Sequence, residues 1–272
     1  MAAWDLSASG IVVTGGGTGI GRAISLGAAE AGARVVVAGR RLDPLEEVAQ
    51  AAAAMPGEIS AVATDVADDA QVTGLVEEAE QRLGRITGVV NAAGILTVAP
   101  SAELPVADFQ RVLEVNLTGA YRVSRAAGAH MASAGGGSIL HIASLSSFGA
   151  FPRRLAYGVS KAGVLALVRN LGVEWARLGI RVNALAPGFV RTPISDSLVE
   201  RGVLDLAQLE ARTPLGRRAE PSEMVGPALF LLSESASFVT GECLVADGGW
   251  RAWVGPVEDL ADANESPRGA GP

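Results

Sequence analysis

Tyr157 and Lys161 stand four residues apart in Tyr157-Gly158-Val159-Ser160-Lys161, a segment that reads as helix. Residues at i and i+4 share one helical face, so a phenol and an ammonium can converge on one point. A free tyrosine, with a pKa of about 10, is a poor proton carrier at neutral pH. A unit positive charge about 4 Å away is worth about 4 kcal/mol at an effective dielectric of about 20, enough to bring the phenol near 7. Acid–base catalysis works best there. A buried tyrosine beside a surface lysine gives the same letters, so the pentapeptide needs support from the rest of the chain.

A second element lies near the start. Ser9-Gly10-Ile11-Val12-Val13-Thr14 is apolar and β-branched and reads as a buried strand. It runs into Gly15-Gly16-Gly17-Thr18-Gly19-Ile20-Gly21, and residues 22–30 continue with helical apolar spacing. Strand, glycine loop and helix together aim backbone N–H groups and a helix N-terminus at a phosphate. The spacing is Gly-x3-Gly-x-Gly, not the Gly-x-Gly-x2-Gly of the standard dinucleotide fingerprint.

Composition narrows the function classes. The 272 residues are 49% hydrophobic, enough for a large core and a sheet covered on both faces. A net charge of −7 argues against a nucleic-acid surface. The single cysteine, Cys243, cannot form an internal disulfide. His130 and His141 lie in no cluster of ligand spacing, so no metal is expected, and His141 reads as a packed strand residue. Residues 1–10 carry Asp5 and no basic stretch, and no run of 18 apolar residues occurs, so neither a signal peptide nor a membrane span is expected. The expected location is cytoplasmic.

Strand-like runs recur at about 10–14, 34–39, 59–64, 86–91, 137–143, 180–186 and 242–246, with helix-like segments between, one of them long, at about 107–133. Repeated βα alternation predicts a doubly wound parallel sheet of about seven strands with helices on both faces. No Pro- or Ser-rich linker interrupts it, so residues 1–254 are expected to form a single domain. Residues 255–272, rich in Pro, Gly and acidic residues, read as a mobile tail.

Taken together, these motifs resemble those of the short-chain dehydrogenases/reductases, in the single-domain Rossmann-like branch. The resemblance covers nearly all of residues 6–249. It rests on Thr14-Gly15-x3-Gly19-Ile20-Gly21, Asn91-Ala92-Ala93-Gly94, Asn116, Ser144, Tyr157-x3-Lys161, Pro187-Gly188-x3-Thr192 and Asp247-Gly248-Gly249, in the family's order. Ser144 precedes Tyr157 by 13 residues, the family's separation. That spacing alone singles it out from Ser146 and Ser147.

The resemblance implies an NAD(P)-dependent oxidoreductase interconverting a secondary alcohol and a ketone. The substrate would be a polyol or sugar, a 3-oxoacyl compound or another small carbonyl compound. Tyr157 would exchange the proton, Ser144 would polarise the oxygen, and Lys161 would lower the phenol and bind ribose. Asn116 would hold a water linking the lysine to solvent. Cofactor contacts are implied for Gly15, Gly17, Thr18, Gly19, Ile20 and Gly21 in the loop, with Asn91, Ala92 and Gly94 beyond the fourth strand. Ala92 departs from the Asn more usual there. Pro187, Gly188, Val190 and Thr192 would hold the nicotinamide end, beside Tyr157 and Lys161. Asp65, with Val66, would face the adenine, although Asp65 also reads as a helix N-cap.

The choice of cofactor turns on the end of the second strand. A ribose 2′-hydroxyl asks for a carboxylate there and a 2′-phosphate for arginine. Gly39-Arg40-Arg41 offers two arginines and no acid, so NADP is the expected cofactor. NAD stays open, since Gly16, Gly17 and Thr18 add no basic residue. The partners expected are a small alcohol or carbonyl substrate and further copies of the chain in a homotetramer, the latter implied mainly by the resemblance and supported by Val164, Leu165, Leu167, Val168, Leu171 and Trp175 and by an edge strand at 243–245. Residues 193–217 read as a substrate lid, bordered by Phe148, Phe151, Arg153 and Arg154. Two rivals are a nucleotide-binding regulatory or scaffold protein of the same fold and a sugar-nucleotide epimerase, whose usual glycine spacing is absent.

Overall fold

Short runs rich in Val, Ile and Ala form the strands, because β-branched side chains suit a sheet buried on both faces. The computed structural model describes residues 4–257; residues 258–272, most of the expected tail, lie outside the described residues. The strands are β1 Gly10–Thr14, β2 Arg34–Gly39, β3 Glu58–Ala63, β4 Gly88–Asn91, β5 Gly137–Ile142, β6 Ile180–Pro187 and β7 Cys243–Ala246. They pair in parallel in the order β3-β2-β1-β4-β5-β6-β7. Each lies within two residues of its expected place, and together they make the expected doubly wound sheet.

Alternate strand residues feed two cores. Val12 joins the layer beneath the helices α3 Asp69–Leu83, α5 Gly119–Ser133 and α6 Leu155–Glu174. Its neighbour Val13 joins the layer beneath α1 Gly19–Glu30, α2 Asp43–Ala51 and α9 Val225–Leu232. The period of two along each strand therefore sets which helices it supports. The chain winds from β1 outward to β3, then returns to place β4 on β1's other side. That reversal opens a crevice at the carboxyl ends of β1 and β4, where ligands of open α/β sheets bind.

The segment expected as one long helix is interrupted. α4 Val106–Leu113 passes into α5 through five π-helical residues, Glu114–Thr118. Such turns insert an extra residue and occur often at functional sites; this one centres on Asn116. The predicted lid forms two short helices, α7 Pro193–Glu200 and α8 Leu206–Arg212, each burying one leucine, Leu198 and Leu209. Its base is closed by Arg191 N–H donating to Ala219 O and Ala219 N–H donating to Phe189 O, both at 2.9 Å.

The six residues expected to form a spare face on α6 turn to the core, although Leu155, Val159 and Val173 of the same helix are exposed. Val164, Leu165, Val168 and Leu171 are buried beneath the sheet, and Leu167 and Trp175 pack against the same cluster. They therefore lend no support to a tetramer. β7 does lie at the sheet edge, with Leu244 exposed. No helix among the described residues is long and apolar enough to cross a membrane, and no group of three metal-ligating side chains occurs among them.

Candidate active site

The ends of β1, β4, β5 and β6 deliver their following loops to one cleft. Its inner part, a cavity of about 250 Å³, is lined by Ser144, Tyr157, Lys161 and Ala92, by Gly19, Ile20 and Gly21, and by Pro187, Gly188, Val190 and Thr192. A second cavity takes in Gly17, Arg40, Arg41, Asp65 and Val66. The two share Gly15, Thr18 and Gly94, so they form one trough across the crevice.

The glycine loop is tight for a local reason. A Cβ on Gly21 would stand 2.3 Å from the Gly15 carbonyl oxygen, and Gly15 itself has φ 67°. Only glycine allows both. Thr18 precedes α1 without capping it through its side chain, so the first N–H groups of that helix point into the trough without a side-chain cap.

Ser144 follows β5 in extended conformation and starts a short turn, with its Oγ accepting from the Ser146 N–H at 3.1 Å. Ser146 also reaches the cavity, whereas the Ser147 hydroxyl is taken by the Lys161 carbonyl at 2.8 Å. On α6, Tyr157 and Lys161 face the cavity together. The Lys161 ammonium is buried, donates to the Ile142 carbonyl at 2.6 Å and lies 5.7 Å from the Tyr157 ring centroid.

The electrostatics differ from the sequence expectation. Burial dominates the Tyr157 phenol and pushes its pKa up, against the opposing influences of the Ser144 hydroxyl and the Arg154 charge. The charge of Arg154, three residues before Tyr157, opposes that rise. The Lys161 ammonium is bonded to Ile142 O rather than to the phenol. Burial pushes Lys161 itself down to about 8.

One expected site residue turns its side chain away from the cleft. The Asn91 side chain is buried and donates to Ser124 Oγ at 3.1 Å. The Asn116 side chain makes three hydrogen bonds: its Oδ1 accepts from Ile95 N–H at 2.8 Å, and its Nδ2 donates to Ile95 O at 2.9 Å and Ser160 Oγ at 3.1 Å. Asn116 still borders the site, since a Cβ on Gly94 would sit 3.4 Å from its Oδ1 and 3.9 Å from Lys161 Nζ. Asp65 is not the helix cap. Asp68 caps α3, while Asp65 Oδ1 accepts from Ala67 N–H at 3.0 Å at the trough's edge. Thr192 caps α7, accepting from Ser195 N–H at 3.2 Å.

One wall of the site was only partly anticipated: Phe151 was expected at the pocket's border, its partners Phe189 and Trp250 were not. Phe151, Phe189 and Trp250 pack edge to face or tilted, with centroids 4.9 to 6.3 Å apart. Phe151 and Phe189 line the cavity and Trp250 packs against both. Glycines 248 and 249, with φ 66° and 89°, turn the chain back to bring Trp250 there. The signal was the Gly-Gly-Trp triplet itself, which gives no hint of a partner 99 residues earlier.

A family model described as enoyl-(acyl carrier protein) reductase matches residues 15–251. An uncharacterised short-chain type dehydrogenase/reductase of Sinorhizobium fredii is 41% identical over 242 residues, which are 88% of this chain but 43% of that protein. A galactitol 2-dehydrogenase (L-tagatose-forming) of Cereibacter sphaeroides is 39% identical over 89% of this chain and 94% of its own. The crystal structure of a gluconate 5-dehydrogenase from Burkholderia cenocepacia J2315, in complex with NADP and tartrate, superposes with a TM-score of 0.85 at 36% identity, covering 90% of this chain and 95% of that one. With likeness of this extent in both sequence and fold, the chain belongs to the short-chain dehydrogenase/reductase family, a family of oxidoreductases.

Proposed function

We propose that the protein interconverts a small secondary alcohol and the corresponding ketone with a nicotinamide cofactor, NADP in preference to NAD. The observation that carries this is the placing of Tyr157, Ser144 and Lys161 in one cavity that opens into the glycine-loop trough. The trough suits a dinucleotide. The α1 N-terminus lacks a side-chain cap, glycines at 15, 16, 17 and 19 leave most of the loop backbone without side chains, and the buried Thr64 hydroxyl at the far end has no partner. Arg40 and Arg41 are exposed at that end and form no ion pair among the described residues. They are placed to hold a 2′-phosphate.

Oxidation of the alcohol removes a hydride from carbon and a proton from oxygen, and the cofactor when bound supplies the hydride acceptor. Tyr157 takes the hydroxyl proton, and returns it in the reverse direction. Ser144 donates to the same oxygen and holds it against the phenol. Lys161 keeps a positive charge under the ring and braces the end of β5 through Ile142. Asn116 positions rather than reacts, tying Ile95 in the loop after β4 to Ser160, the neighbour of Lys161 on α6. Residues 193–217 would act as a lid over a domain spanning residues 1–254. The relatives named above, a polyol dehydrogenase and a sugar-acid dehydrogenase bound to NADP, support this class of reaction and cofactor.

The test is turnover of polyols, β-ketoesters and cyclic ketones with each cofactor, beside calorimetric titration of NADP and NAD. Absence of cofactor binding would overturn the reading. Binding without turnover of any alcohol or ketone would favour a non-catalytic nucleotide-binding protein.

A further inference from the structure

The substrate end of the cavity is walled by apolar side chains: Leu96, Leu145, Phe151, Ile194, Leu198 and Leu204. No carboxylate lines it. Two cations do, Lys161 and Arg154, and the Lys161 ammonium is already bonded to Ile142 O. The Arg154 guanidinium has no such partner: among the described residues it makes no ion pair and no side-chain hydrogen bond, and lies 5.4 Å from the centroid of the Phe151 ring. Arg122, Arg191, Arg217 and Arg218, by contrast, each face an acid.

An arginine half-buried against apolar walls without a counter-charge is costly. Burial accordingly pushes its pKa down. The backbone that sets it there is also unusual. Arg153 has φ 65°, a left-handed conformation rare outside glycine, and its carbonyl accepts from Ala99 N–H at 3.0 Å.

We propose that Arg154 holds the carboxylate of the substrate, so that the protein acts on short hydroxy acids and keto acids; this rests on the oxidoreductase reading above. One guanidinium presents two parallel N–H donors to a carboxylate. A phosphate monoester, with its greater charge, asks for more donors than this wall supplies. Arg154 sits one helical turn before Tyr157, so a bound carboxylate is held a few bonds from the reacting carbon.

The test separates binding from turnover. Cyclohexanecarboxylate and cyclohexanecarboxamide, equal in shape and differing in charge, are titrated calorimetrically into the wild type, Arg154→Met and Arg154→Lys, each with and without NADP. The wild type is expected to bind the carboxylate about 10-fold or more tightly than the amide, as a charge-assisted pair requires. Arg154→Met should bind the two alike, and Arg154→Lys should keep part of the preference, showing that the loss in the methionine variant is one of charge and not of fold. Equal binding of acid and amide by the wild type overturns the proposal, as does a carboxylate preference that survives in Arg154→Met. A parallel turnover panel of hydroxy acids and their amides tests the oxidoreductase reading separately: the expected binding pattern with no turnover in either series would leave the anion site standing and remove the catalytic reading.

Discussion

Asn116 reads both backbone groups of Ile95, accepting from its N–H at 2.8 Å and donating to its carbonyl at 2.9 Å, as a neighbouring strand would. The π-helical turn explains how. In a regular helix a side chain at 116 stays over the preceding turn; the inserted residue swings it toward the loop after β4. A third bond, to Ser160 Oγ, ties that loop to α6 between Tyr157 and Lys161, and Ser160 donates in turn to the Tyr157 carbonyl at 2.7 Å.

Asn116→Ala should therefore loosen the loop beside the cleft before it harms the sheet. The lost partners leave part-buried backbone groups unsatisfied, costing about 1–3 kcal/mol. Urea unfolding should show that loss, and amide exchange at Ile95 should accelerate more than in β4. Unchanged protection at Ile95 would mean that Asn116 does not anchor it.

Tyr157→Phe removes the proton carrier while leaving the ring in its apolar surroundings. Turnover should fall by at least about 100-fold, the lower range for a general acid–base group, with NADP affinity kept within a few-fold. A variant that turns over within a few-fold of wild type would sink the proposed role.

Much of this was legible in the sequence for simple reasons. Strands buried on both faces announce themselves as Val- and Ile-rich runs, and the Gly15–Gly21 spacing records a backbone contact no other residue permits. What stayed hidden depends on contacts between distant segments. The π turn sets Asn116 against Ile95, 21 residues away. Asn91 reads like a cleft residue by position, yet Ser124, arriving from α5, draws its side chain inward. The apolar stripe of α6 looks the same whether it meets a second copy or its own sheet, and here it meets the sheet. The Lys161 bond to Ile142 could not be read from the i, i+4 spacing, which places side chains on a face without saying what else lies there.

Arg40→Ala should weaken NADP more than NAD, by about 1.5–3 kcal/mol, the worth of a charge-assisted hydrogen bond. Arg40 is exposed at the end of β2 with no acid of its own, so little else should change. Titration of both cofactors decides it. Equal losses for the two would show that Arg40 does not touch the 2′-phosphate.

His141 gives a stability prediction. Ser124 Oγ donates to Ala120 O at 2.8 Å, so its 3.3 Å contact with His141 Nε2 requires the imidazole to donate, leaving Nδ1 bare and unpartnered. Burial, with the nearby Lys161 charge, pushes the pKa from 6.5 down to about 3. The unfolded chain then binds the extra proton between those values, so the stabilisation is complete above 6.5 and is lost as pH falls toward 3. Chemical unfolding of the wild type across that window should lose several kcal/mol more than His141→Gln does. Parallel pH dependence in the two proteins would show that His141 is not the group responsible.

Arg154 should set the pH at which the phenol works, independently of any substrate charge. Its positive charge favours the phenolate and so lowers the Tyr157 pKa, against burial, which raises it. Removing the charge in Arg154→Met leaves burial less opposed, and the phenol pKa rises. Oxidation needs the phenolate, so the rising limb of kcat/KM against pH should move to higher pH in the variant. An uncharged alcohol is the substrate to use, since the carboxylate contact then plays no part. Arg154→Lys, which keeps a cation at the site, should return the limb toward the wild-type position. A limb that stays fixed in Arg154→Met, while Tyr157→Phe abolishes activity, would show that the guanidinium lies too far from the phenol, or too well hydrated, to bias its proton.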